Sequence, residues 1–174
     1  MLAVNITPLN KEKTFGENEL IVSRTDTRGI ITYCNRTFIN ISGYSEAELL
    51  KKPHSMIRHP DMPRAVFKLL WDTISTNQEI FAYVKNISKG GEFYWVLAHV
   101  TPTLDHHGNI VGYHSNRRRP NRNAIDVISK IYASLLDIEH KASSATEGLQ
   151  KSYTELNNII SSSGQDYNEL ILSL

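Results

Sequence analysis

Three extended runs crowd residues 80 to 118 with almost nothing between them. IFAYVKNI, EFYWVLAHVTPTL and IVGYHSNRR are joined only by SKGG and DHHGN. Gly90–Gly91 and Gly108–Asn109 suit tight antiparallel connections, because these residues tolerate the positive φ that such turns demand. A chain that ends a domain this way has a sheet whose face must be covered by whatever precedes it.

The upstream half supplies that cover. LIVSR and IITYC flank TDTRG, a hairpin signal with Gly29 in the turn. Thr37, Phe38, Ile41 and Tyr44 then recur at helical spacing, closed by Gly43. Ser45 and Glu48 form a capping box for SEAELLKK, which Pro53 stops. Pro63 suits the first position of a third helix. Ala65, Val66, Leu69, Leu70 and Ile74 run along it as an apolar stripe. The order β-β-α-α-α-β-β-β predicts an α+β domain over residues 19–119. Residues 1–18 are polar and mixed, an expected N-terminal arm or cap.

Beyond Pro120 the pattern is helical. Ile128, Ile131, Tyr132, Leu135 and then Ile138 or Glu139 give one stripe; Leu149, Tyr153, Leu156 and Ile160 give another. Both stripes are narrow. They predict that 120–174 forms helices that pair with each other or need a partner, a signalling or partner-binding segment. The serine run 161–163 reads as a hinge or loop.

Charge and cysteine content narrow the function. Lys and Arg number 19 against 18 Asp and Glu, so bulk charge does not favour nucleic acid. The basic run RRRPNR, 117–122, lacks interleaved aromatics and reads as a solvated junction. No apolar run is long enough to insert in a membrane, and the N-terminus lacks a secretory pattern. A single cysteine, Cys34, suits a reducing, cytoplasmic setting. Neither zinc spacing, a nucleophile–base pair nor paired carboxylates stand out, so the chain is not expected to be an enzyme.

The densest chemistry lies in PHSMIRHPDMPRAVFKLLW, where Arg58, His59 and Asp61 precede the third helix. Two readings are open on the residues alone. Asp61 caps the helix and pairs with Arg58, or Arg58 and the helix N-terminus take phosphate oxygens. Trp71 shares a stripe with Phe67 and Ile74, and suits either a core or a flat ligand ring. Asn86 shares a strand face with Ala82 and Val84, where an amide needs a partner in the next turn or in a ligand.

TDTRGIITYCN, GYSEAELL, and GGEFYWVLAHVTP followed by GNIVGY resemble PAS sensor domains. The resemblance implies a PAS fold: a five-stranded antiparallel sheet with helices on one face, followed here by C-terminal helices. PHSMIRHPDMPRAVFKLLW with VKNISKGGEFYWV is similar more particularly to the FAD-binding PAS domains of aerotaxis receptors, and to stand-alone energy-taxis PAS proteins of the CetB type. That likeness implies non-covalent FAD and a redox or oxygen sensor. It implies as partner a membrane-bound chemotaxis transducer with HAMP and signalling domains, and a homodimer held at the inner face of the membrane through that partner. Carried over residue by residue, it gives Arg58, His59 and Asp61 to FAD retention, Trp71 to a flavin or adenine ring, and Asn86 to the flavin pyrimidine edge.

The flavin-binding light sensors share the fold and attach flavin to a loop cysteine. The matching loop here reads RHPDMP, so adduct photochemistry is not expected. Their second flavin-binding Asn falls on Val96. Their flavin-facing Gln falls on His114, which either meets flavin N5, fills the core or points outward. Some PAS sensors bind haem, for which His54, His59 or His114 would be the axial ligand. Others hold no ligand and dock through a sheet face, here around Trp95 and His99.

Overall fold

The meander forms as its turns dictate. In the computed structural model, which describes residues 6–174, β3 (Ile80–Ile87), β4 (Phe93–Leu104) and β5 (Ile110–Arg118) pair antiparallel in sequence order. The upstream hairpin, β1 (Ile21–Thr25) and β2 (Ile31–Cys34), joins on the β5 side. The sheet order is β2-β1-β5-β4-β3, the expected five antiparallel strands. The first five residues of the expected N-terminal arm lie outside the described residues. The rest of the arm runs beside the start of β4: Leu9 N–H donates to Gly91 O, and Lys13 N–H to Phe93 O.

Three helices cover one face. α1 (Arg36–Ser42) starts where the Asn35 side chain accepts the Phe38 N–H, and ends at Gly43, whose φ of 73° only glycine adopts without strain. α2 (Glu46–Leu49) begins with the expected Ser45–Glu48 capping box but lasts only four residues. Lys51 turns to a φ of 61°, and Pro53 comes two residues later. A 3₁₀ turn over His54–Ile57 leads to α3 (Arg64–Ile74). Pro63 stands one place before the helix with extended backbone, rather than at its first position, and supplies no side-chain cap. Phe38, Leu49, Ile57, Ala65 and Val66 are buried between these helices and the sheet.

The C-terminal stripes find their partner within the chain. α4 (Arg122–Lys141) packs on the opposite face of β3 and β4, where Tyr132 stacks on Trp95 and donates to the Tyr83 carbonyl at 2.7 Å. α5 (Ala145–Ser163) returns against α4 and α3. α6 (Tyr167–Ser173) sits at the β3 edge, where Asn168 Oδ1 accepts the Phe81 N–H and its Nδ2 donates to Glu79 O. One side chain thus satisfies two groups of an edge that would otherwise stay open. The α4 stripe resolves in favour of Glu139, which is buried. The serine run 161–163 is not a loop: α5 continues through it and ends at Gly164, φ 70°.

Candidate functional site

Strand periodicity aims every second side chain of β3, β4 and β5 at α3, but the helix does not fill the space. A cavity of about 520 Å³ remains, within the range of preformed ligand pockets. Its walls are Val84 and Asn86 of β3, Ala98 and Val100 of β4, Tyr113, Ser115 and Arg117 of β5, and Phe67, Leu70, Trp71 and Ile74 of α3. Ser23, Thr25, Arg28, Gly29, the segment Pro53–Ser55 and Arg58 complete it. Trp71, 39 % exposed, stands at the rim. It meets Tyr113 edge-on and lies 3.2 Å from where a Cβ on Gly29 would stand, so this turn takes glycine both for its φ of 78° and for the room the indole needs.

The sequence-predicted residues divide. Arg58, Trp71 and Asn86 line the cavity; His59, Asp61 and His114 do not. The loop before α3 runs beside β3, with Arg58 bridged to Asn86, and so its side chains alternate as a strand's do. Arg58 points inward and lays its guanidinium 3.7 Å over the Phe67 ring. His59 points away, 3 % exposed, edge-on to Phe93. Asp61 accepts from Lys85 Nζ at 2.6 Å, on the outward side of β3. Asp61 therefore neither caps α3 nor pairs with Arg58. The His59 ring accepts the Asp61 backbone N–H at Nδ1, 3.1 Å, which requires a neutral imidazole. Burial and the Lys85 charge hold its pKa below the ordinary histidine value, in keeping with that. These two residues shape the loop that presents Arg58.

His114 faces the other side of the sheet, where its Nδ1 accepts from Arg24 and its Nε2 bonds Asn116 Oδ1. The inward positions of β5 are Tyr113, Ser115 and Arg117. Val96 faces inward but is wholly buried beside the cavity and does not line it. Cys34 is buried and outside the lining; burial pushes its thiol pKa up.

Arg117 is the residue that sequence reasoning misplaced. It opens RRRPNR, yet it is 4 % exposed and reaches into the cavity. Its Nη2 donates to Ser23 Oγ at 2.5 Å and to His54 Nε2 at 2.6 Å. Counting by twos from Tyr113 would have found it; the neighbouring arginines hid the period. His54 carried no signal for an inward position. An arginine donor on Nε2 fixes the proton of His54 on Nδ1, and burial together with the Arg117 charge holds its pKa well below 6.5.

Several polar atoms here have no partner. Arg58 Nη2, Arg117 Nη1 and Ser115 Oγ are buried without a hydrogen bond, and no carboxylate lines the cavity among the described residues. Burial lowers the pKa of each of these arginines to about 10, still far above neutrality, so both stay charged. The Glu139 carboxylate, outside the lining, favours the charged form of Arg58, but no carboxylate among the described lining residues pairs with either arginine. Cations so held are costly unless an anion joins them. The arrangement therefore suits a partly flat, apolar ligand bearing negative charge or hydrogen-bond acceptors.

A match to the PAS fold family covers residues 31–117. The chain belongs to that family. It is 39 % identical over 129 residues to the aerotaxis receptor of Escherichia coli, a match covering 74 % of this chain and 24 % of the receptor. It is 31 % identical over 97 residues to a nitrogen fixation regulatory protein of Klebsiella pneumoniae, covering 56 % of this chain and 20 % of that one. The PAS chain thus spans about a quarter or less of these relatives. Among solved structures, the dark state of the blue-light photoreceptor Aureochrome1 LOV superposes with a TM-score of 0.55 at 25 % identity, over 68 % of this chain and 86 % of that chain. The relatives are named as receptor and regulatory proteins. Among the described residues no helix is long and apolar enough to cross a membrane, and no cluster of three His, Cys, Asp or Glu is placed to hold a metal.

Proposed function

We propose that this PAS domain binds FAD non-covalently and reports its redox state to a chemotaxis transducer, as a sensor for energy taxis. The observation that carries the reading is a pair of arginines, half-buried Arg58 and buried Arg117, each with a buried unpartnered nitrogen, in a cavity lined by no carboxylate among the described residues. Their chemistry fits FAD: a planar guanidinium fork matches phosphate oxygens, and a buried cation matches an electron-rich ring edge. When bound, FAD supplies a reversible redox couple whose ring gains charge and protons on reduction. Arg58, placed near the rim by the loop before α3, would hold the phosphates, with the Trp71 indole offering a flat surface to a ring. Asn86, 4 % exposed and beside Arg58, would meet the acceptors and donors of the flavin edge. Arg117, anchored by Ser23 and His54, would keep positive charge at the deep end. It takes the part that the resemblance gave His114. His59 and Asp61 would act through the loop.

Haem fits less well. His54 alone of the three candidate axial ligands lines the cavity, and its Nε2 lone pair already accepts from Arg117. A cytoplasmic location, a second copy of this chain and a membrane-bound transducer with HAMP and signalling domains belong to the same proposal. Similarity to the aerotaxis receptor supports the part of it that concerns signalling in taxis. The absorption spectrum of the purified protein, before and after FAD reconstitution, tests the reading. Flavin bands that stay with the protein through gel filtration are expected. A Soret band, or no uptake of FAD, would overturn it.

A further inference from the structure

α3 forms one wall of the cavity, yet nothing local caps it. Helix N-termini ordinarily take a Ser, Thr, Asp or Asn whose side chain accepts a free N–H. Here Pro63 occupies that place and offers no acceptor. The acceptor comes from far along the chain. Glu139, near the end of α4, is 9 % exposed and turns its carboxylate onto the first turn of α3. Oε1 accepts the Ala65 N–H at 3.1 Å and the Ser152 hydroxyl of α5 at 2.8 Å; Oε2 accepts Arg64 Nε at 3.0 Å. Three helices thus meet on one carboxylate, at the helix end whose dipole favours negative charge. The approach is close. A Cβ on Gly148 of α5 would stand 2.8 Å from Glu139 O and 3.2 Å from Arg64 Nη2.

We propose that Glu139 is a latch that couples occupancy of the cavity to docking of the C-terminal helices. The connection is short. Ala65 and Phe67 lie on the same first turns of α3, and the Phe67 ring carries the Arg58 guanidinium. A ligand that draws Arg58 moves or steadies Phe67 and the start of α3, on which the Glu139 bonds depend. In the other direction, releasing Glu139 leaves α3 uncapped and loosens the wall that holds Arg58. Coupling of this kind is reciprocal: whatever factor the ligand contributes to docking, docking contributes to ligand affinity. The latch stands on the hydrogen bonds alone; its use as a signal rests on the FAD reading.

Hydrogen exchange on the full chain, with and without FAD, tests both parts. In the wild type, FAD is expected to slow exchange across α5 and α6 by about fivefold or more. In Glu139→Gln, whose amide cannot accept all three donors, exchange there without FAD should quicken about tenfold, and FAD affinity should fall by roughly threefold or more. Ser152→Ala removes one bond and should shift both readouts the same way by less, which serves if Glu139→Gln does not fold. Unchanged exchange in both variants, or quickened exchange with unchanged FAD affinity, would overturn the coupling. If the wild type takes up no FAD, the FAD reading falls and the ligand-free exchange rates still decide the latch.

Discussion

The two faces of this sheet are built to opposite standards. On the face toward α4, most polar groups are matched: the Tyr132 hydroxyl meets the Tyr83 carbonyl, His99 stacks on Phe81 and bonds Glu79, and Lys85 reaches Asp61, with the Tyr167 hydroxyl the exception. On the face toward α3, the same strands leave a hollow with Arg58, Arg117 and Ser115 unmatched. Matched polar groups hold a fold together, whereas unmatched buried ones destabilise it and persist where something else completes them. The contrast separates side chains that serve the PAS fold from those that would serve the proposed ligand.

The largest test sets one residue of each face against the other. Arg117→Met keeps the apolar stem and removes the charge. FAD affinity is expected to fall about 100-fold, roughly 2.7 kcal/mol. Thermal unfolding of the ligand-free protein should stay level or move up, because an incompletely paired buried charge is no longer carried into the fold. Tyr132→Phe should do the reverse. It leaves the Tyr83 carbonyl without its donor, lowers unfolding stability by about 1–2 kcal/mol, and changes FAD affinity by less than about twofold. Fluorescence titration with FAD and denaturant unfolding of both variants supply the four numbers. If Arg117→Met destabilised the ligand-free protein as much as Tyr132→Phe, the inner polar groups would be structural and the contrast would fail.

A smaller effect sharpens the electrostatics of the inner face. His54 is held neutral by burial and by Arg117, its pKa well below 6.5. An unfolded chain restores the ordinary value. As pH falls below about 6.5, the unfolded state takes up a proton that the folded state refuses, so stability drops with falling pH until the folded pKa is reached. One such group contributes at most about 1.4 kcal/mol per pH unit. His59, also lowered, adds to the slope with the same sign. Urea unfolding of the ligand-free protein between pH 7.5 and 5.5 (roughly one unit either side of an ordinary histidine) should therefore show a decline that His54→Asn reduces but does not abolish. A decline equal in variant and wild type would mean that His54 is protonated in the fold and that Arg117 does not face its lone pair.

The frame was legible in the sequence because each turn and cap is a local event. Gly43, the Ser45–Glu48 box and the two meander turns act within four residues, and each stands where the pattern put it. Pro63 was misplaced by one position because the group that caps α3, Glu139, lies 74 residues away from Ala65. The site was half legible for a similar reason. Trp71 and Asn86 could be placed from a helix stripe and a strand face, and Arg58 from the resemblance. His59 and Asp61 turn aside because the loop runs along β3 and alternates, which only the tertiary pairing dictates. Arg117 was hidden by its neighbours Arg118 and Arg119, since three identical residues carry no period to read.

The smallest expected effect concerns His114, and it bears on register. Because strand side chains alternate, a one-residue slip of β5 would bring His114 into the cavity and send Ser115 and Arg117 out. The pairing observed, Ser115 with Ser23 and Val100, and Arg117 with Ile21 and Ala98, puts His114 opposite Arg24 and Thr101 on the other face. Its loss should then touch only the Arg24 and Asn116 bonds near the surface. His114→Ala is expected to change unfolding stability by no more than about 0.5 kcal/mol. Its FAD affinity should lie within about 1.5-fold of wild type, with the flavin bands unmoved. A loss of about tenfold or more would place the imidazole on the ligand. That can happen only if β5 pairs one residue out of this register when the cavity is filled. Arg117→Met would then be nearly silent toward FAD, so the two variants measured side by side decide which of them the inner face presents.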